Sequence, residues 1–267
     1  MVKRIKRQPI QFEVTPLKII VDEMTVAENQ EKQAARAGKK RSLYASDYGQ
    51  CMRKCWYQFF PEEHPQPEFS PRTLRIFQNG EDVHERLSRY LRRADFLEFE
   101  DEINIPRDEL DVHGRCDGIC IVDGDAVVTE FKSINRASVL EPKPEHVGQI
   151  TWYMHMWKQH KDKLMEDRTY NDKYDLWLLK TNNLKGELIY ESKQTQQTFH
   201  FPIEYSEAKA AEVRDWFVQL DTYVKTKTIP PVKYDGSKFP CRWGRGQTAG
   251  KCPYYDKCWV DEEQNID

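Results

Sequence analysis

The sequence of 267 residues has no apolar run long enough to cross a membrane and no large excess of charge of either sign. A membrane-spanning helix needs about 20 mostly apolar residues, so no membrane partner is expected. The formal net charge is −3, and any contact with nucleic acid must therefore use local basic patches. The chain begins with basic residues but without the apolar stretch of a secretory signal. We expect a cytoplasmic, reducing location.

A disulfide framework is not expected either, although the chain contains seven cysteines. An odd number of thiols in a reducing compartment is not typical of disulfide-bonded folds. Metal ligation and buried thiols are the two interpretations that remain. The chain has no internal repeat and no low-complexity tract, and its length suits one large domain.

Basic residues are concentrated near the start of the chain. Residues 1–41 contain two clusters, whose members are Lys3, Arg4, Lys6 and Arg7, and then Arg36, Lys39, Lys40 and Arg41. We interpret residues 1–41 as a basic N-terminal arm, with helix-forming residues from Asn29 to Lys40, that is either solvated or in contact with phosphate groups. Residues 42–267 are predicted to form a single domain.

The spacing of apolar residues predicts an α/β domain. Ser46 is a candidate N-cap of a helix that carries Cys51 and Cys55, and Ser206 is a candidate N-cap of a helix that reaches about Lys225. The other predicted helices are Arg72–Ala94 and Glu145–His160, and the predicted strands are Phe96–Ile105, Ile119–Val122, Ala126–Phe131, Tyr174–Lys180, Gly186–Glu191 and Gln197–Ile203.

Val112–Ser133 is the segment around which the chemistry is organised. Its Asp123-Gly124 pair predicts a tight turn between the strands Ile119–Val122 and Ala126–Phe131. Such a hairpin would place side chains of two neighbouring strands next to each other.

Two carboxylates and a lysine fall on this hairpin. Side chains alternate between the faces of a strand, so Glu130 and Lys132 point the same way, and Asp117 is offered by the neighbouring strand. Two acids with an ammonium nearby suit a Mg²⁺ ion and a charged phosphorus centre. An ordinary surface hairpin is the alternative interpretation.

The flanking helices carry two further motifs. Gly80-x-x-x-His84 precedes the strands, and Gln149-x-x-x-Tyr153 follows them on one helix face. Together with Asp117 and Glu130-Phe131-Lys132, they resemble the PD-(D/E)XK nuclease superfamily, and in particular its RecB-like branch, which includes the nuclease domains of RecB and AddB and the CRISPR-associated exonucleases. The resemblance covers roughly residues 42–260 and implies a restriction-endonuclease-like core, in which a central mixed sheet is flanked by helices.

The resemblance also implies a role for each motif. A Mg²⁺ or Mn²⁺ ion would be held by His84, Asp117, Glu130 and the backbone carbonyl of Phe131. Lys132 would orient the attacking water or stabilise the transition state. Gln149 and Tyr153 would position the DNA or the lysine.

The last three cysteines are spaced like metal ligands. Ten residues separate Cys241 from Cys252 and five separate Cys252 from Cys258. Cys51 is similar to the first cysteine of the iron–sulfur nucleases of this branch and would close a [4Fe-4S] site, with Cys55 as the rival fourth ligand. The tail of those nucleases often reads C-x2-C-x5-C, so the interval of ten is a departure at Cys241.

This implied cluster would staple the N-terminal helix to residues 229–267, a cysteine-rich tail that closes on Cys51. Zinc bound by four thiolates would fit the same spacing. For Cys116 and Cys120, buried thiols without a metal are the favoured interpretation.

The function implied by the resemblance is a metal-dependent deoxyribonuclease, an exonuclease on single-stranded or frayed DNA ends in recombination, repair or DNA processing. A structure-specific endonuclease and a non-catalytic DNA-binding module with structural zinc are the alternatives. The sequence has no G-x-x-x-x-G-K-[ST] motif, so a helicase or recombination partner would be a separate chain.

Contacts to DNA phosphates would come from two basic groups. One is a stripe on the helix that carries His84, formed by Arg86, Arg89 and Arg93, and the other is formed by Lys39, Lys40 and Arg41. For the stripe, a solvated helix face is the alternative.

Overall fold

The computed structural model describes residues 16–35, 40–65, 68–95, 97–167, 175, 178–179, 181–243 and 250–259. The chain divides into two compact units, one drawn from residues 1–39 and 68–79 and the other from residues 40–67 and 80–267. The smaller unit contains helix α1 (Pro16–Ala34), from which Asp22 accepts a hydrogen bond of 2.6 Å from Arg75. Among the described helices, none has the length and apolar character that a membrane span requires. The sequence-based division after residue 41 stays a prediction.

A five-stranded mixed sheet forms the centre of the larger unit. Its strands, in spatial order, are β1 (Glu98–Asn104), β2 (Arg115–Val122), β3 (Asp125–Ile134), β4 (Leu184–Ser192) and β5 (Thr198–Ile203). All neighbouring strands are antiparallel except β3 and β4, which are parallel. A parallel pair requires a crossover connection, and this connection contains helix α4 (Pro144–Asp167).

Helix α4 is the most deeply buried helix that the structure describes. All of its side chains from Gly148 to Trp157 are buried. It packs on β3 and β4 and also on helix α5 (Glu207–Lys225), which in turn packs on the short helix α2 (Met52–Phe59). Because α4 is enclosed between the sheet and α5, the side chains on its sheet-facing side are held in fixed positions above β3.

Most of the predicted elements are confirmed. The order helix, three strands, helix, strand corresponds to α3 (Pro71–Arg92), β1 to β3, α4 and β4. The hairpin turn lies at Asp123 and Gly124, whose φ angles of 50° and 81° are typical of a tight two-residue turn. Ser206 caps α5, because its hydroxyl oxygen accepts a hydrogen bond from the backbone nitrogen of Lys209.

The predicted N-cap at Ser46 is wrong. Ser46 lies in the 3-10 helix Ala45–Asp47, and α2 begins only after Cys51, which is itself the N-cap residue. The reason is local: the carboxylate of Asp47 accepts a hydrogen bond of 3.0 Å from the backbone nitrogen of Tyr44, which closes a separate turn before α2.

Helix α1 begins at Pro16, a residue suited to the first turn of a helix, and ends at Ala34, so it includes the first of the helix-forming residues noted from Asn29 to Lys40. Residues 36–39 lie outside the described residues. One further prediction differs from the structure. The strand predicted at Tyr174–Lys180 is wrong at its described positions, 175, 178 and 179, which are helical. A short apolar run does not distinguish a buried helix from a buried strand.

The loop before α2 packs closely on α4. A Cβ atom placed on Gly148 would lie 2.0 Å from Cε1 of Tyr48. Tyr48 cannot easily turn away, because its ring is buried and its hydroxyl is hydrogen-bonded to Glu212 and Lys209. Glycine is therefore required at position 148 by the ring above it.

We expect Gly148→Ala to lower the free energy of unfolding by about 1–2 kcal/mol, because forced overpacking outweighs the better helix propensity of alanine. Gly80→Ala is the matched control: Gly80 is also inside a helix, but its added Cβ would meet only Ser133 Oγ at 3.6 Å. The control should be stabilising by about 0.5–1 kcal/mol. Urea unfolding of both variants provides the measurement, and equal shifts of the same sign would contradict the close contact with Tyr48.

Candidate active site

The structure brings the predicted catalytic residues together above β3. Asp117 lies on β2, and Glu130 and Lys132 lie on β3. His84 reaches Asp117 from α3, and Gln149 reaches Glu130 from α4. Tyr153 completes the group through its hydrogen bond to Gln149.

Asp117 is held by one bond to each of its oxygens. Its Oδ1 lies 3.0 Å from Nδ1 of His84, and its Oδ2 accepts a hydrogen bond of 2.6 Å from the backbone nitrogen of Phe131. Burial alone would lower the pKa of His84, but the hydrogen bond and the negative charge of Asp117 outweigh this effect, and the pKa is raised. The backbone of Phe131 is thus next to the carboxylate, and the same residue was predicted to offer its carbonyl to a metal.

Glu130 is the most constrained charged group of the site. Its side chain is 4% exposed, and Oε1 accepts hydrogen bonds from Lys132 and, at 2.8 Å, from Gln149. Burial and the negative charge of Asp117 raise the pKa of Glu130 to about 7. Its other oxygen, Oε2, is buried and has no hydrogen-bond partner within the described parts of the chain.

Lys132 lies beside both carboxylates. Burial would lower its pKa, but the charges of Glu130 and Asp117 outweigh burial and raise the pKa. The side chain is therefore an ammonium at neutral pH. It can donate hydrogen bonds but cannot accept a proton.

Gln149 and Tyr153 form a chain of hydrogen bonds that orients Glu130. The Nε2 group of Gln149 donates to Glu130 and, at 2.7 Å, to the Tyr153 hydroxyl, which donates to the carbonyl of Arg115 at 3.4 Å. Burial raises the pKa of Tyr153 well above its usual value, so the hydroxyl stays protonated. Both side chains act on Glu130 from α4 and are themselves buried.

The donor atoms of this group have the chemistry that a divalent metal requires. Among the described residues, no three His, Cys, Asp or Glu side chains are grouped closely enough to hold one metal ion. The chemistry of the group nevertheless suits a hard cation, because the buried Oε2 of Glu130 needs a partner and the two carboxylates repel each other. His84, with Nδ1 turned to Asp117, leaves Nε2 as its free ligand atom.

One residue of this face was missed in the sequence. His146 lies one turn before Gln149, so His146, Gln149 and Tyr153 follow the spacing i, i+3, i+7 on α4. Its Nδ1 is 2.8 Å from the hydroxyl of Tyr190. Tyr190 lies opposite Lys132 in the register of the neighbouring strands β3 and β4. The helical spacing was a usable signal, but the Tyr190 partner lies 44 positions away and gives no local sequence signal.

The second group of predicted ligands, Cys51, Cys241, Cys252 and Cys258, lines one cavity of about 390 Å³. A Cys51 thiolate is close enough to raise the pKa of each of the other three, although burial is the largest cause in every case. The backbone nitrogen of Cys252 donates to the carbonyl of Cys241 at 2.8 Å, which fixes the spacing of the tail.

The remaining cysteines are separate from this cavity. Cys55 is fully buried, does not line the cavity, and burial raises its pKa to about 12. Cys116 and Cys120 lie on β2 and are buried, and their thiols contact backbone carbonyls. Burial raises the pKa of both, that of Cys120 to about 11. The prediction that Cys116 and Cys120 are buried thiols is confirmed.

The predicted basic stripe is divided between two roles. Arg86 donates to the buried carboxylate of Glu191 on β4, whereas Arg89 and Arg93 are exposed. In the second basic group, Arg41 is bonded to Asp47 and Gln58 at 2.8 Å each. Lys40 is exposed, and Lys39 lies outside the described residues.

Several solved structures are distantly similar to this chain. "Crystal structure of SSO0001" is 18% identical, with 79% of this chain and 88% of that chain covered and a TM-score of 0.49. An alkaline exonuclease (LHK-Exo) from Laribacter hongkongensis is 14% identical, with 74% of this chain and 93% of that chain covered and a TM-score of 0.44. LHK-Exo in complex with dAMP has the same identity and coverage and a TM-score of 0.34. No curated protein matches the sequence.

A family model matches most of the chain, residues 25–258. The matched segment contains the hairpin with Asp117, Glu130 and Lys132, the two helices that approach it, and all four cysteines of the tail cavity. The central sheet flanked by helices is the restriction-endonuclease-like fold, and the chain belongs to the PD-(D/E)XK nuclease superfamily.

Proposed function

We propose that the protein is a metal-dependent deoxyribonuclease that acts as an exonuclease on single-stranded or frayed DNA ends, in recombination, repair or DNA processing. The observation that carries this proposal is the buried Glu130, whose Oε2 has no hydrogen-bond partner among the described residues and which is grouped with a second carboxylate and a lysine. A module that only binds DNA does not need a buried carboxylate at the cost of its desolvation.

A divalent metal fits the oxygen donors of the site. Asp117, Glu130 and the backbone carbonyl of Phe131 would hold Mg²⁺ or Mn²⁺, with His84 as a nitrogen ligand that favours Mn²⁺. When bound, the metal supplies positive charge that activates water and stabilises the phosphate oxygens. It would also supply the missing partner of the buried Oε2 atom.

The side chains of the protein provide the remaining steps. Lys132, kept as an ammonium by its two carboxylate neighbours, donates hydrogen bonds to the attacking water or to the oxygens that gain charge at phosphorus. Gln149 and Tyr153 hold Glu130 in one orientation, so that Oε1 stays with Lys132 while Oε2 is available for the metal. Both act as positioning residues.

The strand of DNA would be held through its phosphates. Arg89, Arg93 and Lys40 are exposed and can contact phosphate, whereas Arg86 and Arg41 have partners within the protein. We therefore expect Arg86 to hold α3 against β4 through Glu191, and the exposed members of the two basic groups to make the electrostatic contacts.

A [4Fe-4S] cluster bound by Cys51, Cys241, Cys252 and Cys258 is the second part of the proposal. A cluster binds each thiolate at a different iron and needs a cavity between them. Four cysteines around one cavity of about 390 Å³ fit that requirement. Zn²⁺ bound by the same four thiolates is the alternative.

Lys132→Ala should reduce DNA cleavage at least a hundredfold, because a donor to the transition state is lost, while the fold and DNA binding are retained. Lys185→Ala is the matched control, since Lys185 lies on the adjacent strand and pairs with Asp125 away from the site. Cleavage of a labelled single-stranded oligonucleotide gives the rate. A folded Lys132→Ala variant with wild-type activity would remove the lysine from the mechanism.

Cleavage should require Mg²⁺ or Mn²⁺, should be poorly supported by Ca²⁺, and should stop in excess EDTA, since the oxygen donors suit a small hard cation. The same assay on linear and circular DNA separates an exonuclease from an endonuclease, because circular strands have no ends. Undiminished activity after chelation would contradict the proposed metal site.

Cys51→Ala and Cys258→Ala should each lose bound iron and make the tail more sensitive to limited proteolysis, because the link between α2 and the tail is broken. Cys55→Ala is the control and should keep its iron, since Cys55 does not line the cavity. Anaerobically purified wild-type protein should be brown. Colourless protein that contains stoichiometric zinc would replace the cluster with a zinc site, and an equally resistant tail in Cys51→Ala would show that no metal ties the two ends.

A further inference from the structure

The sheet-facing side of α4 carries a third polar residue beyond the two in the Gln-x-x-x-Tyr motif. His146 is one turn before Gln149, and unlike Gln149 and Tyr153 it is only partly buried. It lies in the first turn of the helix, and the Lys132 ammonium is close enough to lower the pKa of its ring. A phosphate bound at the partly exposed Lys132 would therefore be close to His146.

The hydrogen bonds of His146 define which of its nitrogens carries a proton. The buried hydroxyl of Tyr190 accepts a hydrogen bond of 3.0 Å from the backbone nitrogen of Lys143, and it lies 2.8 Å from Nδ1 of His146. No other acceptor for the Tyr190 proton is found in the described part of the chain, and a buried hydroxyl without an acceptor costs about 1–3 kcal/mol. The hydroxyl therefore donates to Nδ1, and the proton of the neutral ring is on Nε2.

The ring is neutral because it is partly buried and close to two cations. Burial is the larger cause and Lys132 and Lys143 add to it, and together they lower the pKa of His146 to about 3. Lys132 also acts to lower the pKa of Tyr190, but burial outweighs this effect and raises the pKa, so the hydroxyl stays protonated. Nε2 makes no hydrogen bond within the described residues and is not among their buried unpaired atoms, so its N–H is open to a ligand.

We propose that His146 is a substrate-binding residue whose Nε2–H donates a hydrogen bond to a nonbridging oxygen of a nucleic-acid phosphate next to Lys132. The proposal rests on the proposed nuclease function and adds a contact that the motif residues do not provide. The geometry that supports it is the contact of the His146 ring with Tyr190, which fixes the ring and lies opposite Lys132 in the register of β3 and β4.

A neutral donor has a specific use beside a cation. Lys132 is attracted to any negative charge from any direction, whereas an imidazole N–H held by Tyr190 donates along one line only. His146 would thus define the position of the phosphate relative to Lys132 without adding positive charge to the site. Its contribution to DNA binding should therefore not depend on salt in the way that lysine and arginine contacts do.

Two substitutions separate substrate binding from a structural role. His146→Asn keeps an acceptor at the position of Nδ1, and with it the bond from Tyr190, but has no donor at the position of Nε2. His146→Gln places its amide nitrogen near the position of Nε2 but loses the acceptor for Tyr190. The proposal predicts that Asn is the harmful change and Gln the milder one, and a role limited to holding Tyr190 predicts the reverse.

The measurement is the affinity of the full-length protein for a short fluorescent single-stranded DNA, with Ca²⁺ in place of Mg²⁺ to suppress cleavage. We expect His146→Asn to weaken binding about tenfold, as for the loss of a hydrogen bond to a charged group, and His146→Gln to recover most of that loss. The slope of log affinity against log salt should equal that of the wild type, whereas the loss of one basic contact lowers it by about 0.7 for a single strand. Thermal unfolding shows whether each variant is folded.

A second variant keeps the test independent of the stability of His146→Asn. Tyr190→Phe removes the hydroxyl that fixes the ring. It should weaken DNA binding less than His146→Asn does, and the double variant should bind no more weakly than His146→Asn alone.

A set of oligonucleotides, each with one uncharged methylphosphonate linkage at a different position, locates the phosphate that His146 contacts. At that position wild type and His146→Asn should bind with equal affinity. Equal affinity of folded His146→Asn and wild type on the unmodified strand would overturn the proposal. If the wild-type protein cleaves no DNA with Mg²⁺ or Mn²⁺, the nuclease proposal itself has failed.

Discussion

A buried carboxylate beside a second carboxylate is unfavourable in water-excluded surroundings unless positive charge and hydrogen-bond donors surround it. Glu130 is in this situation, and several elements of the larger unit supply the groups that stabilise it. Lys132 follows it on the same face of β3, Gln149 approaches from α4, and Asp117 is held by its bonds to His84 and the Phe131 backbone. Among the described residues, no group donates a hydrogen bond to Oε2 of Glu130. A bound divalent cation would provide the partner that this oxygen needs.

Helix α2 makes contacts with the tail and with α5 that do not depend on a metal. Arg53, a buried residue of α2, donates to the carbonyl of Pro230 in the tail at 2.8 Å, and the indole of Trp56 donates to the carbonyl of Tyr223 in α5 at 3.1 Å. The ring of Tyr57 lies 5.0 Å from that of Tyr254 in the tail. These contacts pack α2, which begins directly after Cys51, against the tail. The cluster would then complete a site that is already shaped by side-chain packing.

The predictions from sequence were accurate where the signal was local. The turn at Asp123-Gly124 and the cap at Ser206 depend on a few neighbouring residues, and the motif on α4 depends on helical spacing alone. They were incomplete where a distant residue is the partner. In the sequence Arg86 fits the spacing of a basic stripe, but in the structure it donates a hydrogen bond to Glu191 of β4. The role of His146 can be inferred only once its contact with Tyr190 is known. The proximity of the three tail cysteines to Cys51 is likewise a tertiary property that sequence spacing could only suggest.

The contact between Tyr48 and Gly148 has a consequence for how the site keeps its dimensions. A helix laid on a sheet can in principle slide along its axis or roll about it, and either movement would carry Gln149 away from Glu130. The ring of Tyr48 occupies the space that any side chain at position 148 would need, and its hydroxyl is tied to α5 through Glu212. Translation by one residue would bring a neighbour with a side chain under that ring. The distance between the two halves of the site, one on a strand and one on a helix, is thus set by an aromatic ring that belongs to neither.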